Sequence, residues 1–118
     1  MEAIMQLITD TIRDQLITNG RESRDNPAFD PHPVVKLFTP DAGATWLISE
    51  CDPQRPDYLY GLCDLGVGEP ELGSVSLTEL EALRGPLGLP VERDLYFEAG
   101  YPLSHYAHLA IKAGAITA

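Results

Sequence analysis

A four-residue spacing opens the chain: Ile4, Ile8, Ile12 and Leu16 recur on one stripe, Leu7 lies on its flank, and Gln6, Asp10, Arg13 and Asp14 fall opposite. This pattern predicts an amphipathic helix over residues 2–18 that buries the apolar stripe. Asn19 and Gly20 follow as a stop signal, since both residue types accept the left-handed backbone that ends helices. An N-terminal helix is therefore expected within residues 1–20. Residues 21–33 are polar and include Pro27, Pro31 and Pro33, which predicts a proline-rich connection over the surface.

From Val34 onward the period drops toward two. Residues 34–39, 44–51 and 57–65 have strand-like composition, and the turn clusters at 40–43 and 52–56 are short enough for an antiparallel meander. In the second of these strands Trp46 and Ile48 share a face opposite Thr45 and Ser49, but Leu47 interrupts the alternation. In the third, Leu59, Gly61, Cys63 and Leu65 oppose Tyr58, Tyr60, Leu62 and Asp64. Both faces are partly apolar, so this strand is expected inside the sheet. Residues 71–75 read as a fourth strand.

The run Ser76-Leu77-Thr78-Glu79 then has the form of a capping box, in which the serine and glutamate side chains accept from amides that the first helical turn leaves unpaired. Leu77, Leu80 and Leu83 would be the buried side of a short helix stopped by Gly85-Pro86. Residues 91–97 read as a strand and 102–112 as a last helix ending near Gly114. These elements make one α+β domain over residues 1–118, with the part from 34 onward holding the sheet, the capped short helix and the C-terminal helix. The sheet is mainly antiparallel, with four to five short strands and two to three helices, and the first and last helices are expected on one face.

Composition narrows the class. A length of 118 residues suits one core, and 44% hydrophobic against 22% charged residues is too apolar for disorder. No apolar run is long enough to span a membrane, and residues 1–20 lack the basic head and apolar block of a signal peptide, so a cytoplasmic protein is expected. Cys51 and Cys63 have no Cys-x-x-Cys spacing, which argues against a disulfide framework or zinc knuckle. The net charge is -10, and residues 41–104 carry twelve carboxylates against three arginines. A chain of that sign repels phosphates and anionic lipid, so no direct nucleic-acid or membrane binding is expected.

Several segments taken together resemble a known family. They are Val34-Val35-Lys36-Leu37-Phe38-Thr39-Pro40, Ala44-Thr45-Trp46-Leu47, Gly61-Leu62-Cys63-Asp64-Leu65-Gly66, Pro70-Glu71-Leu72-Gly73, the stretch 76–84, and Gly88-Leu89-Pro90-Val91-Glu92-Arg93-Asp94-Leu95-Tyr96-Phe97. In this order, over about residues 34–107, they resemble the bacterial family called domain of unknown function 2958. The resemblance implies an accessory protein of plasmids, integrative elements and phage-related islands. It brings no catalytic residues with it.

Candidate chemistry rests on carboxylates and tyrosines. Glu92 and Asp94 would share a strand face, and Glu69, Glu71, Asp64 or Glu50 could converge with them on Mg²⁺ or for acid–base work, although solvated edges and turns explain the same residues. His105 and His108 are three apart on a helix but lack further ligands at diagnostic spacing, and Gly66-Val67-Gly68 lacks the lysine of a phosphate loop. No metal and no cofactor are expected. Tyr58 and Tyr60 share a face, and Tyr96 falls with Glu92 and Asp94, a mixture suited to protein contact.

The function expected is therefore non-enzymatic: binding of a protein partner through Glu69, Glu71, Glu92, Asp94, Tyr58, Tyr60 and Tyr96. One version is an anti-defence inhibitor that fills a basic nucleic-acid channel by presenting carboxylates in place of phosphates. The alternative is a small enzyme or ligand-binding protein with Glu92, Asp94 and Glu71 around a cleft. A homo-oligomer paired through its first helix is compatible with either.

Overall fold

The computed structural model describes residues 6–118. In chain order they form α1 (Asp10–Asp25), β1 (Val35–Phe38), β2 (Thr45–Asp52), β3 (Arg55–Asp64), β4 (Glu71–Ser76), α2 (Leu77–Ala82), β5 (Glu92–Arg93) and α3 (Leu103–Ala113). The strands make one antiparallel sheet in the order β4-β3-β2-β1-β5. The expected α+β class holds, and β3 is interior. Among the described residues no helix is long and apolar enough to cross a membrane.

The first helix departs from expectation at both ends. Thr9 caps it, its hydroxyl accepting from the Ile12 amide at 3.2 Å, so Leu7 and Ile8 precede the helix while still entering the core. Ile4 and the other residues before 6 lie outside the described residues. At the other end α1 runs through Asn19 and Gly20 to Asp25, so the connection starts at 26 and not at 21. The supposed stop signal is a docking point. Asn19 donates from its side-chain nitrogen to the Ser49 carbonyl at 2.8 Å, and Gly20 lies so close to β2 that a Cβ would collide with the Cys51 carbonyl oxygen.

That contact coincides with a bulge in β2. Ile48 pairs with Gly61 and Glu50 with Tyr60, which leaves Ser49 as the extra residue. Direct cross-strand partners share a face. Strict alternation would put Glu50 with Trp46 and Ile48, but the bulge turns it to the side of Tyr60 and returns Cys51 to the side of Leu59.

Two apolar layers cover the sheet. Leu16 of α1 packs with Trp46, Ile48, Cys51, Leu59, Leu77 and Leu80, while Leu103, Ala107 and Ala110 of α3 pack on Leu47 and Leu62. The first and last helices therefore occupy opposite faces, a correction to the single-face expectation. The interruption at Leu47 is its cause, because both faces of β2 are buried and the alternation is lost.

Helix starts are capped across the chain. Pro102 offers α3 no side-chain acceptor, and Asp30 of the connection supplies one, accepting from the Ser104 amide at 3.1 Å and from its hydroxyl. Ser76 caps α2 by accepting from the Glu79 amide at 3.3 Å, while Asp57 of β3 accepts from the Ser76 hydroxyl at 2.7 Å and the Thr78 amide at 2.9 Å. Leu77 and Leu80 are buried, but the helix ends at Ala82 and Leu83 is 40% exposed. The strand expected at 91–97 is two residues long, because Asp94 accepts from the Tyr96 amide and turns the chain.

Candidate functional site

The sheet order divides the seven surface residues read from the sequence. Tyr58 and Tyr60 lie on β3, Glu71 opens β4, and Glu69 precedes it in the loop. Glu92 lies on β5 with Asp94 and Tyr96 just after it. β4 and β5 are the two edges of a five-stranded sheet, so Glu71 on β4 stands roughly 19 Å from Glu92 on β5, four spacings of about 4.8 Å. Glu71 does not meet Glu92 and Asp94 around one cleft. Among the described residues no three His, Cys, Asp or Glu side chains are placed to hold a metal ion.

In the β5 group, Asp94 is tied into the fold. The Asp94 carboxylate lies 3.7 Å from the Lys36 ammonium, and its amide donates to the Lys36 carbonyl at 2.9 Å. Tyr96 is 91% exposed on the turn. Arg93 donates to the carbonyls of Gln6 and Leu7, tying the segment before α1 to this edge. On α3 the exposed His105 stacks on Tyr101, with centroids 4.2 Å apart, and His32 meets the Ala99 carbonyl at 3.4 Å.

A different arrangement forms on the β3–β4 side. Two adjoining clefts, of about 390 and 310 Å³, share Glu50 and Tyr60 as lining residues. The first also has Asp52, Tyr58 and Ser74, and the second Ser23, Asp30, Leu72, Leu103 and Ser104. Burial pushes the Glu50 carboxyl above its ordinary value, opposed in part by a hydrogen bond from Ser23. Asp30 is engaged in capping α3, and Asp52 accepts from the Gln54 amide at 2.9 Å. Glu50 is thus the shared carboxylate between the clefts.

Reading the sequence missed this centre because three elements build it: the bulge turns Glu50 toward Tyr60, the extended α1 delivers Ser23, and the α3 cap delivers Asp30 and Ser104. A weak signal is present in the sequence, a carboxylate at 50 within an otherwise apolar or small strand stretch, Trp46 to Cys51. The environment of the cysteines disfavours the thiolate. Burial raises both thiols, that of Cys63 to about 11.

No curated protein and no solved structure matches the chain. The family described as "Protein of unknown function (DUF2958)" matches residues 7–117, which takes in every helix and strand above. The matched span extends beyond the 34–107 expected and takes in α1. With nearly the full chain matched, the protein belongs to the DUF2958 family.

Proposed function

We propose that this protein acts by binding another protein, without catalysis, through the acidic side formed by β3, β4 and the loop before β4. The observation that carries the reading is the free edge of β4. Among the described residues this strand has a partner on one side only, and Glu69, Glu71, Tyr58 and a 46% exposed Leu72 surround it. An unpaired strand edge presents backbone donors and acceptors to any extended chain, and exposed tyrosine and leucine add apolar contact. The net charge of -10 selects basic partners.

One form of this activity suits an accessory protein of a mobile element: occupying the basic nucleic-acid channel of a defence protein with carboxylates in place of phosphates. The test is capture of a partner from a bacterial host carrying such an element, by wild type, a double reversal at the β4 side and a single reversal on β5. Glu69→Lys with Glu71→Lys should lose the partner, whereas Glu92→Lys should keep it. The wild-type complex should also weaken steeply with salt, since exposed charges are screened within about 8–10 Å. A complex indifferent to salt and to the first pair would overturn the proposal.

A further inference from the structure

The two clefts around Glu50 have a one-sided lining. Glu50, Asp52 and Asp30 contribute carboxylates and Tyr58 and Tyr60 contribute rings, yet neither lining includes lysine, arginine or histidine. Arg55 already stacks over Tyr58, 5.9 Å from its ring centre, so a ring on this side accepts a cation within the chain itself. Tyr60 pairs directly with Glu50 across the β2–β3 ladder, which sets a ring and a carboxylate side by side. An electron-rich ring beside a carboxylate complements a planar guanidinium or an ammonium group.

We propose that this Glu50–Tyr60 slot receives a cationic side chain, arginine or lysine, presented by the partner protein that docks along β4. The inference rests on the partner reading above and names the group that anchors it. Partial burial has already removed water from Glu50, so an incoming cation meets a carboxylate whose solvation is incomplete. The slot lies beside the free edge: Ser74 of β4, opposite Tyr60, lines one cleft, and the exposed Leu72 lines the other. Ser74 is small and leaves the approach from β4 open. The ring beside the carboxylate suits an organic cation, and among the described residues no three His, Cys, Asp or Glu side chains group as metal ligands.

The full chain can be titrated with Nα-acetyl-arginine methylamide and with its neutral citrulline counterpart, following backbone amide shifts by NMR. Saturable shifts centred on Ser23, Glu50 and Tyr60 should appear with the arginine compound and be absent with citrulline. Glu50→Gln should weaken binding about tenfold or more, the effect of losing a hydrogen bond to a charged group, while Glu92→Gln leaves it unchanged. A dispersed spectrum of the Glu50→Gln protein confirms that the variant is folded. Equal response to arginine and citrulline, or shifts spread evenly over the acidic surface, would overturn the slot. So would unaltered binding by folded Glu50→Gln. The partner reading fails separately, if capture ignores Glu69→Lys with Glu71→Lys while arginine still binds at Glu50.

Discussion

Gly20 lies inside a helix, where glycine is about 1 kcal/mol less favourable than alanine. Its place against the Cys51 carbonyl reverses that preference, because a Cβ has no room before the β2 backbone. Gly20→Ala should therefore destabilise the protein despite the gain in helix propensity, read as a lower denaturation midpoint. An unchanged or higher midpoint would separate α1 from the bulge. Glu50 gives a second prediction at this scale. Its folded pKa is raised above the ordinary value of 4.5, so its contribution is most favourable below 4.5 and is lost as pH rises through the folded value. Glu50→Gln should accordingly melt higher than wild type near neutral pH, with the gap closing below about pH 4.5. Equal pH profiles for the two proteins would remove the burial argument.

At the level of elements, the start of α2 shows which part of a motif is local. Ser76 caps the helix as its sequence position suggests, but the acceptor that joins it is Asp57, nineteen residues earlier on β3. Hydrogen bonds from Thr78 and then Ser76 hold the Asp57 carboxyl below its ordinary 3.8. The contribution is thus present above that value and lost as pH falls through the folded pKa. Ser76→Ala should cost roughly 0.5–2 kcal/mol in denaturant unfolding near neutral pH, with the difference narrowing in acid. No measurable change would place the cap elsewhere. Strand positions within the meander follow from local turn chemistry and are legible to within a few residues. The length of β5 is not, because strand-like composition runs on to residue 97 while the Asp94 carboxylate accepts from the Tyr96 amide and turns the chain after Arg93.

Over the whole molecule, charge and layering act together. Two helices on opposite faces leave the edges of the sheet as the open parts of its backbone, and β4 is the longer edge. On the proposed reading, the acidic balance directs that edge to basic chains. The same balance predicts that the isolated protein causes no gel shift of DNA or RNA at physiological salt, since too few cations face outward to displace counterions. A shift that disappears as salt is raised would contradict it.

The class of fold, the order of its elements, the cap at Ser76 and the acidic character all reside in the sequence, because each depends on neighbours along the chain or on composition alone. Tertiary structure decided the rest. Asn19-Gly20 is as good a helix stop as a docking point until β2 lies beside it, and Leu47 reads as noise until α3 covers the second face. Glu50 becomes the centre of a cleft only when the bulge at Ser49 changes its face. Which edge holds Glu71 and which holds Glu92 follows from strand order, a long-range pairing that residue spacing does not encode.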